Sequence, residues 1–542
     1  MNKVTLLFAF TFIFFSCDNK QQVDILVINA NIYTVNNQFE VAESFAITNG
    51  KIVEVGTTEA IQKKYKATKN YDFSGKTIVP GFIDAHAHFY GLGLNQNVID
   101  LVGAESFDEV VSRIVAFQKE KQHDFIEGRG WNQNLWEVKE FPNKEKLDSL
   151  FPETPIVLTR IDGHAYLVNQ KALDLAAITT ETKVEGGIIE VKDGKLTGIL
   201  IDAAMDLIAK ISPTISKEVA AQALKDAQDI CFSYGLTTVN DAGLDRRIIE
   251  LIDTLQQTGE LDIRIYAMVT NSPENLEYYL SKGIIKTDKL HVHSVKVYGD
   301  GALGSRGAAL KKPYSDHPGH YGLFITPVSE INNLAKRIAK SEYQMNTHAI
   351  GDSAISVVLK AYTDVLGDTN DRRWKVEHAQ VVSEKDFNYF KNGIIPSVQP
   401  THATSDMYWA EDRVGAERIK GAYAYKKLLD IAGMVALGTD FPVEHVSPFY
   451  TFYAATARKD LKHFPQEGFQ KQDALSREET LKGMTIWAAY SNFEENEKGS
   501  IEAGKFADFI ILNKDIMTIA EDEIPNLKVE ATFVGGKLVF KN

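Results

Sequence analysis

The middle of this chain is a series of short apolar, strand-like runs separated by amphipathic stretches, and several of the runs end on a histidine, lysine or aspartate. The runs fall at 77–83, 156–160, 235–240, 263–269, 292–298, 343–348, 373–378, 394–399 and 434–439. Apolar runs of this length suit strands buried on both faces, and the amphipathic stretches between them suit the crossovers a parallel sheet needs. The pattern predicts an α/β fold, a TIM (β/α)8 barrel with its reactive side chains at the C-terminal strand ends. Nine runs are one too many for such a barrel, so something between 100 and 225 has to be an insertion.

The two ends read differently. Residues 23–77 hold short strand patterns, with Asn49-Gly50 as a hairpin turn between Ala46-Ile47-Thr48 and Lys51-Ile52-Val53-Glu54-Val55. At the other end, Phe509-Ile510-Ile511-Leu512 precedes a second hairpin through Gly535-Gly536. This predicts a small β-sandwich domain made from both termini (23–77 plus 495–542), around a barrel over 78–494 with a cap segment at about 100–225. At 542 residues the chain has room for all of this, since a barrel takes about 250.

The formal charge of −14 and the lack of any Lys/Arg cluster argue against nucleic acid as a partner. Met1-Asn2-Lys3 followed by the apolar stretch Val4 to Phe15 reads as a signal peptide over residues 1–16. Ser16-Cys17 resembles the lipobox of bacterial lipoproteins, with Phe14 where Leu is usual. The expectation is export to the bacterial cell envelope, either lipid-anchored through Cys17 or periplasmic, with the anchor as the sole membrane contact. Only Cys231 would then remain, so an internal disulfide is excluded.

The chemistry concentrates at the strand ends. His86 and His88 in Asp84-Ala85-His86-Ala87-His88 are two apart, so in an extended strand they project to one side and can grip one ion. Lys296, His348, His378 and Asp440 close later runs. Any one of them suits a satisfied polar residue at a barrel mouth; the whole set points to a metal centre.

Val79 to His88 resembles the opening signature of the amidohydrolase superfamily. Asp162-Gly163-His164, the run from Lys296 to Arg306, His348 to Asp352, Glu377-His378-Ala379-Gln380, Gln399-Pro400-Thr401-His402 and Gly438-Thr439-Asp440 resemble its YtcJ-like, amidohydrolase family 3 branch. That branch includes N-substituted formamide deformylases, and the likeness runs from about residue 24 to the C-terminus. The resemblance implies that 235–240, 263–269 and 394–399 are barrel strands 2, 3 and 7, and that 156–160 lies in an insertion between strands 1 and 2. It implies one or two divalent metals, zinc first, with manganese, iron or nickel as alternatives. His86 and His88 would bind the first and His348 and His378 the second. Lys296, carboxylated by CO2, would bridge them, and Asp440 would be ligand and catalytic proton acceptor.

Further expectations are less central. His164 and His402 are candidates for substrate contact, Trp131, Trp136 and Trp409 for an apolar pocket, and Arg306 or Arg160 for a substrate carboxylate. Asp300 and Arg306 are expected to pair in a loop, and Glu377 to point away from His378. His291, His293, His320 and His445 are read as bystanders near the mouth, and His123 and His463 as surface residues. The expected activity is hydrolysis of a C–N bond in a small amide, formamide or cyclic amide, by a chain whose default assembly is a homodimer. The alternatives are a mononuclear N-acyl amino acid deacylase and a non-catalytic envelope binding or regulatory protein.

Overall fold

The computed structural model describes residues 20–542, so the leader over residues 1–16 and the lipidation site Cys17 lie outside the described residues. Eight parallel strands form the central sheet: β1 (Phe82–Ala87), β2 (Leu236–Leu244), β3 (Arg264–Thr270), β4 (Leu290–Tyr298), β5 (Gln344–Ala349), β6 (Lys375–His378), β7 (Ile395–Val398) and β8 (Ala436–Leu437). Each pairs with the next, so the sheet curls in sequence order into a nearly closed barrel. Hydrogen bonds just beyond β8 draw the seam together. The Asp440 N–H donates to the His86 carbonyl (2.8 Å) and the His88 N–H to the Phe441 carbonyl (2.8 Å). Across the same seam the buried Asp84 carboxylate accepts the Thr439 amide (3.0 Å) and hydroxyl (2.7 Å).

Helices cover the outside of the barrel because their sequences put one apolar stripe inward. Arg246–Gln257 buries Ile248, Ile249, Ile252 and Leu255, each worth about 1.5–3 kcal/mol on removal from water. Pro273–Lys282 starts at Ser272, whose side chain accepts the Asn275 amide, with Pro273 in the first turn.

The 77–83 run is two strands rather than one. Thr77–Pro80 pairs with Phe509–Leu512 in a six-stranded sheet made from both chain ends, and β1 begins only at Phe82. Gly81 marks the change: a Cβ there would lie 2.3 Å from the Thr237 side chain. The opposing four-stranded sheet holds the hairpin Ser44–Thr48 to Lys51–Gly56, turned by Asn49 and Gly50 at φ 51° and 75°. Between the sheets Phe509 stacks on Phe533 (4.4 Å), with Phe45 edge-on to Phe509 (5.0 Å).

Between β1 and β2 the chain builds a separate six-stranded sheet that includes Ile126–Trp131 and Ile156–Arg160. The surplus ninth run therefore belongs to the insertion, which carries its own apolar core around Leu101, Ile126, Trp131 and Leu158.

Candidate metal centre

Strand register sets the level of the site. Tyr298 pairs with His348 and Ala349 with His378, so β4, β5 and β6 end together at the barrel mouth. His378 and Asp440 both leave their strands in the left-handed region, at φ 71° and 62°. Non-glycine residues held there cost of order 1–3 kcal/mol, and such strain gathers at functional sites.

Four imidazoles, a lysine and a carboxylate meet at this mouth. His86 gives its Nδ1 proton to Glu377 Oε2 (2.6 Å), which leaves the Nε2 lone pair facing Lys296 Nζ (3.1 Å) and Asp440 Oδ1 (3.7 Å). His88 donates from Nδ1 to the Ala242 carbonyl (3.0 Å) and turns Nε2 toward Asp440 Oδ1 (3.2 Å). His378 meets the Gln399 amide oxygen through Nδ1 (2.8 Å), and its ring centroid is 4.5 Å from that of His348.

Asp440 Oδ1 is buried and receives no well-formed hydrogen bond from the described residues. His86, His88 and Asp440 thus turn three electron-pair donors toward one point, with ligand atoms within 4.8 Å of one another. Locked Nδ1 protons and a free carboxylate oxygen are the donor set of a divalent metal. The residues fit the ion.

The electrostatics agree. Burial, with neighbouring cations, pushes the pKa of His86 down and those of His348 and His378 well down, keeping the rings neutral as ligands must be. Burial lowers Lys296 to about 8, close to the range where an amine is free. Burial opposes ionisation of Asp440, but the hydrogen bond from His402 and the surrounding imidazoles hold its carboxyl well below the usual range.

His378, His402 and Asp440 form a second possible ligand group. His402, however, has Nδ1 3.0 Å from Glu444 Oε1 and Nε2 3.3 Å from Asp440 Oδ2. Against burial, those two carboxylates hold it well above the usual imidazole range, which favours the imidazolium, with both ring nitrogens donating to carboxylates. Of the two groups, His86, His88 and Asp440 are therefore the better candidate for holding an ion.

A model of the amidohydrolase family (family 3) matches residues 69–540. The chain belongs to the amidohydrolase family. It is 31% identical to a putative amidohydrolase, YtcJ, of Bacillus subtilis, covering 94% of this chain and 98% of that one. An N-substituted formamide deformylase of Arthrobacter pascens is 28% identical over 96% of this chain and 99% of its own length. An uncharacterized metal-dependent hydrolase of Pyrococcus horikoshii superposes with a TM-score of 0.75 at 28% identity, covering 92% of this chain and 99% of that one. The fold and the hydrolase class follow.

In this amidohydrolase the mouth opens into a cavity of about 1020 Å3, roofed by the insertion and bordered by Arg129, His164, Tyr298, His402, Trp409 and His445. His164 gives Nδ1 to Asp202 Oδ1 (2.7 Å) and lies 5.0 Å, ring to ring, from His348. Against burial, Asp202 keeps its pKa above the usual value.

Several expectations change. Trp131 faces the core of the insertion, with Nε1 donating to the Leu158 carbonyl (2.9 Å), and is absent from the cavity wall. Trp136 is likewise core, donating to the Ala104 carbonyl. Arg306 pairs with Asp316 (2.8 Å) away from the cavity, while Asp300 accepts the amides of Ala309, Ile350 and Gly351. Glu377 does not point away; it orients His86. His291 and His293 sit near the start of β4, at the opposite end from Lys296, so they line the barrel floor and not its mouth. Glu377, Gln399 and Asp202, which hydrogen-bond the histidines of the site, and Arg129, which borders the cavity, were missed by sequence reasoning. The Gly128-Arg129-Gly130 triplet was the available signal, because glycine inside a strand marks a bulge.

Proposed function

We propose that this amidohydrolase is metal-dependent and uses water to cleave the C–N bond of a small amide or formamide. The observation that carries the reading is Asp440 Oδ1, buried and without a well-formed hydrogen bond beside the free Nε2 atoms of His86 and His88. A divalent ion held by these groups would supply an acidified water and polarise the scissile carbonyl.

The chain's own groups do the rest. Asp440 accepts the proton of the attacking water and returns it to the departing amine. His402 donates to Asp440 Oδ2 and keeps that carboxylate ionised before the reaction. His164, whose pKa Asp202 raises, would donate to the carbonyl oxygen as negative charge develops there. Lys296 has no carboxylate within ion-pairing distance among the described residues, and its lowered pKa would suit reaction with CO2 to give an anionic ligand for a second ion that His348 and His378 would hold. The leader adds the proposal that the mature chain starts at Cys17 in the cell envelope.

The likeness to the Arthrobacter N-substituted formamide deformylase supports N-formyl and N-acyl amines as first substrates. Amine release by the metal-loaded protein should fall by about 100- to 10,000-fold in Asp440→Asn, the usual worth of a positioned acid–base group. Undiminished turnover in that variant would remove Asp440 from the chemistry.

A further inference from the structure

Three arginines bear on what the cavity recognises, and their hydrogen bonds separate them. Arg306 is spent on Asp316 outside it. Arg160 borders the cavity but is occupied, donating to Gln133 (2.8 Å), Asp162 (2.6 Å) and Asn132 (2.9 Å). Arg129 also borders the cavity, and its one hydrogen bond to the described residues runs from Nη2 to the Ile161 carbonyl (3.2 Å). Its buried Nε has no partner, and no carboxylate among the described residues lies within ion-pairing distance.

The backbone is shaped to aim this side chain. Arg129 and Trp131 are two apart in one strand and would share a face, yet one borders the cavity and the other fills the core. A register shift between them, at Gly130 with φ 117°, separates their directions. The guanidinium then rests against Gly163, where a Cβ would lie 3.5 Å from Nη2 and 3.6 Å from Nη1. Gly163 immediately precedes His164, and Arg129 and His164 border the same cavity.

A guanidinium that borders a cavity with unpaired N–H groups, and with no carboxylate in ion-pairing distance among the described residues, is suited to a planar, bidentate anion. We propose that Arg129 is the subsite for a carboxylate on the substrate, making the preferred substrates N-acyl or N-formyl amino acids over simple N-acyl amines. The proposal rests on the hydrolase reading for the scissile bond, but the subsite can be tested by binding alone.

The test titrates the metal-loaded protein with matched pairs in a calorimeter: N-formyl-phenylalanine against N-formyl-phenethylamine, and the corresponding leucine and alanine pairs. The wild type should bind the acid more tightly in at least one pair. Arg129→Met should shrink that acid-to-amine ratio by about 10- to 100-fold, the usual worth of a charge-assisted hydrogen bond. Arg129→Lys should leave an intermediate ratio, and Arg306→Met the wild-type one. No preference for the acid in any pair, or a preference surviving in Arg129→Met, overturns the proposal. A preference that depends on Arg129 without turnover of any pair would keep the subsite and count against the hydrolytic reading.

Discussion

Single side chains in this barrel are tuned by what they touch. His86 and His378 have their Nδ1 protons fixed by Glu377 and Gln399, while Asp440 accepts a hydrogen bond from His402. The barrel floor offers a contrast. His293 donates to or accepts from nothing at Nδ1 among the described residues, and its Nε2 meets the Glu342 carbonyl (2.9 Å). Burial, with the nearby His291, pushes its pKa down to about 4. The unfolded chain takes up this proton near pH 6.5 and the folded protein does not, so stability is lost as pH falls from 6.5 toward 4. The loss reaches roughly 3 kcal/mol at most. Urea unfolding at pH 7.5 and pH 5 should therefore show His293→Phe losing less stability than wild type between the two. Parallel losses would mean that His293 is not the group responsible.

At the scale of elements, side chains follow strand alternation until the backbone departs from it. Strand ends carrying His86, His88, Lys296, His348, His378 and Asp440 were legible because each closes an apolar run, and the Asn49-Gly50 hairpin because its turn needs positive φ. Two departures hid the rest. His378 turns at φ 71°, so it and Glu377 both serve the site although they are adjacent. The bulge at Gly130 sends Arg129 to the cavity and Trp131 to the core, the reverse of the residue chosen by composition. Long-range partners such as Asp202 for His164 or Asp316 for Arg306 leave no local trace in a sequence. Gly130→Ala measures the bulge directly: its Cβ would meet the Val102 Cγ2 at 2.5 Å and the Val102 amide nitrogen at 2.6 Å, at φ 117°. Strain of that kind costs about 1–3 kcal/mol, so the denaturation midpoint should drop by a matching amount. An unchanged midpoint would show that the turn relaxes freely and does not aim Arg129.

Over the whole molecule three units share one task. The sandwich joins both chain ends and docks on the barrel, where buried Arg264 of β3 grips Asp508 with two hydrogen bonds (2.6 and 2.9 Å). The insertion roofs the mouth and supplies Arg129 and His164, while the barrel supplies every proposed metal ligand. The proposed metal ligands thus sit at the barrel strand ends, and the inserted sheet adds His164 and Arg129 from above. The claim on which the rest depends is that His86, His88 and Asp440 hold a divalent ion. Metal content per chain, by mass spectrometry on protein purified without chelator or affinity metal and then reloaded with zinc or manganese plus bicarbonate, tests it most directly. The account predicts at least one tightly held ion per chain, lost when His86 and His88 are both changed to Ala, and a second that depends on Lys296. A chain that binds no ion after reloading, or binds it equally well without His86 and His88, would contradict it.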